Sequence, residues 1–432
     1  MNNIQRLFLL LCCIAGLGQG IFAQEELSYP EVEQRTLSYF YKGQWKTLMS
    51  LGDSALKQEI DYYGLRYRMG VAQYSRNNYW QSTKHFKKTL EFNNADPYAP
   101  EYLYYSQLFA DKEGEALRFA KAYPDSTRKK WGAQKNRWLD YITFDAGGRF
   151  SSQPDSIGHM GVVSIGMGHR FGSFLKLYHN FSFLSQNYLG VKYNQYDYYL
   201  KGNVLLGKGW QIIPALHYIH LNGGYTNKIL RVDGPTDITN TTKENSLLLY
   251  LGVQKTFGRV MVKPYGAYMS LSGQSSTQVK ITQGIPPNPP MLVKDTTFEN
   301  NSVTDKWQFG LDASYRLPVW NNRLTLGGSF AIHMNNDGSL KPIWGASLHG
   351  QLTDKFGMSL SFFQAPVTDF VRYDGAIFNN SISPTNWQVG AKAEYYITPK
   401  ISWNLGYSLD YKQEQNFDFY YHNVFTGLKF RL

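Results

Sequence analysis

From position 141 to the end of the chain, apolar and polar residues take turns, segment after segment. A side-chain period of two belongs to β-strands, whose successive residues face opposite sides. Trp307, Phe309, Leu311, Ala313, Tyr315 and Leu317 fall on one face, and Gln308, Asp312, Ser314 and Arg316 on the other. Trp387, Val389, Ala391, Ala393, Tyr395 and Ile397 oppose Gln388, Lys392 and Glu394 in the same way. Ile401, Trp403, Leu405, Tyr407, Leu409 and Tyr411 oppose small and polar residues. One face is greasy and rich in rings, the other small and wet. A strand of about ten residues with that pattern suits a barrel with lipid outside and water inside. The alternative is the edge of a two-layer sandwich.

The connections point the same way. About fourteen strands are predicted, joined alternately by short turns and longer links. Short turns lie at Gly172-Ser173, Gly207-Lys208-Gly209, Phe257-Gly258, Pro318 to Asn321, Asp354-Lys355 and Pro399-Lys400. The longest links are 223–244 and 273–305, the second holding Pro286-Pro287-Asn288-Pro289-Pro290. Short turns on one rim and long loops on the other are the barrel rule, with short turns periplasmic and long loops extracellular. An even strand count then puts both ends of the barrel on the periplasmic side.

The first residues read as a leader rather than as fold. Arg6, the apolar run Leu7 to Leu17 and Ile21-Phe22-Ala23 make residues 1–23 a predicted signal peptide. The only cysteines, Cys12 and Cys13, sit in it, so disulfides and thiolate metal sites are not expected in the mature chain. The net charge is +11, yet no compact Lys/Arg stripe with interleaved aromatics appears, so nucleic acid is not an expected partner. Tyr occurs 33 times, and amphipathic rings suit bilayer interfaces.

Residues 24–125 are helical in pattern and repeat with a period of 34: Gly43, Asn77 and Asp111, then Leu48, Ser82 and Ala116. Ser82 is small where two helices should cross, with Tyr79 and Phe86 filling the gap. Residues 126–140 read as a basic connector with Arg128, Lys129, Lys130, Lys135 and Arg137, and 141–432 as the barrel.

Two local patterns carry resemblances. Met69-Gly70-Val71-Ala72-Gln73-Tyr74 with the period of 34 resembles tetratricopeptide (TPR) repeats. That resemblance implies a groove lined by Leu37, Phe40, Tyr67, Val71, Tyr74 and Tyr105, able to hold a periplasmic protein or peptide; the alternative is that these rings only pack the stack. The carboxylate clamp of some such repeats is missing, because Tyr67 and Val71 stand there. Thr426-Gly427-Leu428-Lys429-Phe430-Arg431-Leu432 resembles the C-terminal signal of outer-membrane barrels. Thr426, Gly427, Phe430 and Leu432 would then be read by the barrel-assembly machinery. Helical repeats followed by such a barrel resemble the surface lipoprotein assembly modifiers and the YaiO-like outer-membrane proteins. The expected fold is α plus transmembrane β: TPR-like helices, then an antiparallel β-barrel of about fourteen strands in the outer membrane of a Gram-negative bacterium.

For function, the first reading is an export or assembly factor whose helical domain binds a periplasmic client or partner; the alternatives are a passive diffusion channel and a structural subunit of a larger complex. Inward charges Asp145, Arg149, Asp197, Lys201, Asp312, Arg316, Lys392 and Glu394 are expected either to fill the lumen or to line a conduction path. Pairs four apart span roughly 13 Å of strand, so they should pair with neighbouring strands instead. Lys263 finds no natural place in the pattern. No catalytic constellation emerges: His217 and His220 face opposite sides, as do His179 and Ser182, and His333 and His349 read as polar-face residues. No enzyme, cofactor or metal is expected.

Overall fold

The computed structural model describes residues 26–133, 136–188, 190–231, 234–283, 291–380, 383–413 and 418–432. The expected leader, both cysteines, Lys135 and the Pro-rich stretch lie outside these residues.

Among the described residues seven helices come first: α1 (Tyr29–Tyr41), α2 (Trp45–Lys57), α3 (Tyr63–Ser75), α4 (Tyr79–Phe92), α5 (Ala99–Phe109), α6 (Glu113–Ala120) and α7 (Asp125–Lys130). The first six pack as three successive hairpins. Gly43, Asn77 and Asp111 each stand at the turn inside a hairpin, with φ of +65°, +55° and +58°. One left-handed residue ends a helix and reverses the chain, which explains small or short polar residues there. α3 and α4 approach closely because Gly70 leaves room for the Phe86 ring. The Ser82 hydroxyl donates to the Gly70 carbonyl at 2.9 Å, and Phe86 stacks on Tyr102 at 5.0 Å. No described helix is long and apolar enough to cross a membrane.

The strands follow: β1 (Asn136–Ser151), β2 (Ile157–Phe171), β3 (Leu175–Tyr188), β4 (Val191–Gly207), β5 (Trp210–Arg231), β6 (Gly234–Phe257), β7 (Val260–Gln283), β8 (Met291–Arg316), β9 (Leu324–Met334), β10 (Leu340–Gln351), β11 (Phe356–Ala365), β12 (Asp369–Arg372), β13 (Ile377–Asn380), β14 (Thr385–Thr398), β15 (Ile401–Gln413) and β16 (Asp418–Arg431). Fourteen of them close an antiparallel barrel; β12 and β13 pair only with each other. The seam is β1 on β16, with Tyr141 opposite Arg431 and Ser151 opposite Tyr421. The described strands close into one cylinder instead of stacking as two layers, so the sandwich alternative falls.

The outer face is the apolar one. Trp307, Phe309, Leu311, Leu326, Phe330, Val389, Trp403, Leu405 and Tyr407 all stand exposed on it. Large apolar groups in that number on a closed wall are stable only against lipid. The barrel is therefore a membrane-spanning one of the outer-membrane type.

Three boundaries differ from the sequence reading. The expected loops 223–244 and 273–305 are mostly strand, because β5 to β8 run far past their neighbours. β8 is paired only with β7 from Met291 to Lys306, roughly 50 Å of strand. These stretches are rich in Thr, Ser and Asn on both faces. Water wets both sides there, so the alternation that marks the membrane zone is lost. The connector at 126–140 is instead the short helix α7 and the start of β1. Two of its charges are paired locally, Lys130 with Glu101 at 2.7 Å and Arg137 with Asp140 at 2.9 Å.

The helices sit on the rim that carries the short turns. Glu113 at the start of α6 pairs with Lys176 at 2.7 Å and Arg170 at 3.6 Å. Asp111 lies 3.6 Å from Arg316, and the Asn77 amide donates to the Asn321 carbonyl at 3.0 Å. Two of the three helix-hairpin turns thus rest on barrel turns. Leu205 of the barrel completes an apolar cluster with Tyr104, Leu117 and Trp131.

Candidate functional site: a hairpin inside the lumen

The link between β11 and β14 enters from the opposite rim and folds into the barrel. β12 and β13 form its two arms, with Asp369 opposite Asn380 and Arg372 opposite Ile377. Tyr373, Asp374 and Gly375 make the tip at φ of +52°, +60° and +82°. The tip reaches Lys263, only three residues from the helix-side end of β7. The hairpin therefore hangs through most of the depth of the barrel.

Each level of the hairpin is tied to the wall. At the top, Lys306 pairs with Asp369 at 2.5 Å. In the middle, the Gln308 amide serves both backbone groups of Val371: its Nε2 donates to the carbonyl at 2.9 Å and its Oε1 accepts the N–H at 3.0 Å. A single side chain so stands in for a neighbouring strand and satisfies both backbone groups of Val371. Val371 and Phe378 pack with Tyr199, Ile213, Leu248, Tyr250 and Met269. Arg372 lies over the Phe363 ring at 3.7 Å and donates to Gln388 at 2.6 Å.

The tip carries most of the charge. The Asp374 carboxylate pairs with Lys263 and lies 3.4 Å from Lys201. Tyr250 donates to the same carboxylate at 3.2 Å, and Tyr199 to the Asp374 carbonyl at 2.8 Å. His217 Nδ1 stands 2.9 Å from the Gly375 carbonyl, so that nitrogen must carry the proton. Inside a barrel wall such charges are stable only when matched, and here they are.

The hairpin divides the lumen. A cavity of about 240 Å³ lies between the tip and the β7–β11 wall, where Gly327, Ser329, Gly345, Ser347 and Ser361 keep side chains small. A second cavity of about 330 Å³ lies toward β1, β3, β4 and β16.

The eight expected inward charges do not form one ladder. Asp312 pairs across strands with Lys263 at 3.1 Å, as expected for neighbours, and this gives Lys263 its place. Lys201 instead reaches the hairpin tip, and Arg316 reaches the helices. Asp197 lies 4.0 Å from His217. Arg149 donates to Asn423 at 2.7 Å and covers the Tyr421 ring. Asp145 lies against Gly427, and Lys392 and Glu394 stand on the lumen face of β14. His217 is buried in the lumen and His220 bonds to Asn245 on the exposed side, which separates them as the spacing requires. His333 is fully buried inward, and His349 meets Ser359 at 2.9 Å.

The expected groove is largely packed. Val71 is buried, Tyr67 meets Phe86 and Tyr102, Tyr74 meets Tyr79, Tyr102 and Phe109, and Phe40 meets Trp45. Burial pushes the Tyr67 phenol up to about 12. Tyr105 stacks on Phe109, and Leu37 is exposed. At the C-terminal strand Thr426 accepts from the Trp403 indole at 2.8 Å, Phe430 meets Phe144, and the Leu432 N–H donates to the Asp140 carbonyl at 3.0 Å.

No family model and no curated protein matches the chain. Among solved structures it is similar to the CymD monoaromatic hydrocarbon channel, at 7% identity and a TM-score of 0.48 over 68% of this chain and 89% of that one. A Pseudomonas aeruginosa FadL homologue gives 10% identity and a TM-score of 0.44 over 69% and 90%. The translocator domain of the autotransporter NalP from Neisseria meningitidis gives 10% and 0.36 over 75% and 99%. Superpositions this loose say nothing of what the chain carries.

Proposed function

We propose that this protein is an outer-membrane channel narrowed by its own inward hairpin. The observation that carries the reading is Asp374, a carboxylate brought by a loop to a place where Lys201 and Lys263 both meet it. A hairpin needed only to fill space could be wholly apolar. One latched through ion pairs at its tip can let go, because the charges it leaves are matched by water once the lumen fills.

In this reading the short-turn rim, the helices and both ends of the barrel are periplasmic, and the hairpin enters from the cell surface of a Gram-negative bacterium. The leader exports the chain, and Thr426, Gly427, Phe430 and Leu432 present it to the barrel-assembly machinery. The protein is not an enzyme. Planar-bilayer recording tests the channel: Asp374→Asn should raise the mean current several-fold over the native chain. Equal currents from both would remove the latch from the account.

A second reading, an export or assembly factor with TPR-like helices that bind a periplasmic protein or peptide, draws on one feature. Tyr41 at the end of α1 is 80% exposed, and Tyr98 just before α5 is 64% exposed. Exposed rings mark a partner surface where they join into one patch and mean little singly, so the reading stands or falls on a partner being found. A pull-down with the full-length protein and a Tyr41→Ser, Tyr98→Ser variant separates the two: loss of a stoichiometric partner favours export, and no partner for either chain favours the channel alone. A partner kept by both chains in a fixed complex would favour the role of structural subunit.

A further inference from the structure

The second cavity lies between the hairpin tip and the helix-bearing rim, and its chemistry is one-sided. Lys176, Lys201 and Lys429 line it together with Tyr141, Tyr178 and Thr143. They come from β1, β3, β4 and β16, and registry brings them level. Tyr178 stands opposite Lys201 on β4, and Thr143 opposite Lys429 on β16. Between β1 and β3, β2 places Gly166 and Gly168 beneath the two rings, and its His169 also lines the cavity. A side chain at Gly168 would overlap the Tyr141 ring, and one at Gly166 would meet the Tyr178 and Thr143 oxygens. The glycines let the two rings lean over β2 and stack, 5.9 Å apart with planes 19° from parallel.

The ammonium groups are unevenly matched. Lys176 has Glu113, which the helices supply. Lys201 has Asp374, which the hairpin supplies and which Lys263 shares. Lys429 has no carboxylate within ion-pair reach among the described residues; its Nζ rests over the Tyr141 ring at 3.9 Å. Three ammoniums thus share one cavity with two carboxylates, and both are divided, Glu113 with Arg170 and Asp374 with Lys263. A cavity walled by protein focuses that surplus charge. Hydroxyl donors at its edge and a flat aromatic floor complete a site for a small molecule with an anionic head and a planar or acyl body.

We infer that this cavity binds a small organic oxyanion. Its occupant draws on Lys201, so binding competes with Asp374 and loosens the hairpin tip; this second half rests on the latch reading above. Solute entering from the helix-bearing side would then help to open its own path.

Calorimetry on the full-length protein in detergent, at low salt and neutral pH, tests the site with benzoate, inorganic phosphate and neutral benzamide as probes. Benzoate should bind and benzamide should not. Lys429→Gln should weaken benzoate about tenfold, the scale of one charge-assisted hydrogen bond. Lys429→Arg should restore it, and Lys392→Gln, on another stretch of wall, should leave it unchanged. Heat-modified gel mobility checks that each variant is folded. Equal benzoate affinity for the native chain and Lys429→Gln would overturn the site, as would phosphate binding with no benzoate binding. Currents then read the second half: benzoate should raise the native current and leave Asp374→Asn unmoved. A benzoate site without any current would sink the latch and spare the site.

Discussion

Lys201 Nζ lies 3.4 Å from the Asp374 carboxylate, although 173 residues separate them along the chain. One end of this contact is fixed in the wall and the other belongs to a loop that could have stayed outside. The same lysine lines the basic cavity, so a single ammonium joins the position of the hairpin to whatever occupies the lumen beside it.

If the tip is a latch, its loss should expose what it covers. Val371 is 1% exposed in the hairpin arm. The mature chain is expected to hold no cysteine, so Val371→Cys gives a single label site. Asp374→Asn takes the carboxylate from Lys201 and leaves Lys263 with Asp312 alone, a loss on the order of 3 kcal/mol for breaking a buried pair. Maleimide labelling at position 371 should then speed up at least about tenfold. Unchanged labelling would mean that the apolar packing against Leu248 and Met269 holds the hairpin alone.

The helices should loosen from the rim when Glu113 loses its charge. Glu113→Gln weakens two contacts, to Lys176 and Arg170. The expected cost is about 1–3 kcal/mol, as for charged hydrogen bonds. Hydrogen exchange should accelerate in α6 and not in β9 to β11. Slow exchange throughout would show that the cluster around Leu205 suffices.

Much of this fold was legible from the alternation, because lipid and water select residues so differently that Trp307 to Tyr315 admits one orientation. The hairpin was not legible. Its arms, Asp-Phe-Val-Arg and Ile-Phe-Asn-Asn, are short and face protein on several sides, so no period survives in them. Lys263 looked misplaced for a related reason: its partners are one residue on the next strand and one on a distant loop. Single-strand patterns carry no information about either. The groove positions failed differently, since an aromatic at a helix face reads the same whether it lines an opening or fills it. Tyr74 fills it.

His85 should titrate far below the ordinary range. It is buried in α4, and burial, with Arg66 beside it, lowers its pKa from 6.5 to about 4. Arg66 is itself held by Asp61 through contacts of 2.6 and 2.7 Å. The unfolded chain takes up this proton first as pH falls. The stability that neutral His85 contributes, up to about 3 kcal/mol, is therefore complete above pH 6.5 and lost between 6.5 and 4. Carbon-13 shifts of the ring in the intact protein read the midpoint directly; a value near 6.5 would show that the site is wet.

At the seam, Gly427 is glycine because Asp145 on β1 lies where a side chain would go. Gly427→Ala should lower the thermal midpoint of the folded gel species by several degrees, a cost of about 1–3 kcal/mol for overpacking. Asp145→Ser should recover most of it in the double variant. If the double variant is no better than the single one, the clash is not the cause.

The central claim is that the lumen is continuous but for the hairpin. Single-channel conductance of a chain in which a short Gly-Ser turn replaces residues 367–382 tests it most directly. The account predicts a stable open channel, with a conductance several-fold above any native level and loss of the closed state. A folded barrel that still passes no current without its hairpin would contradict it.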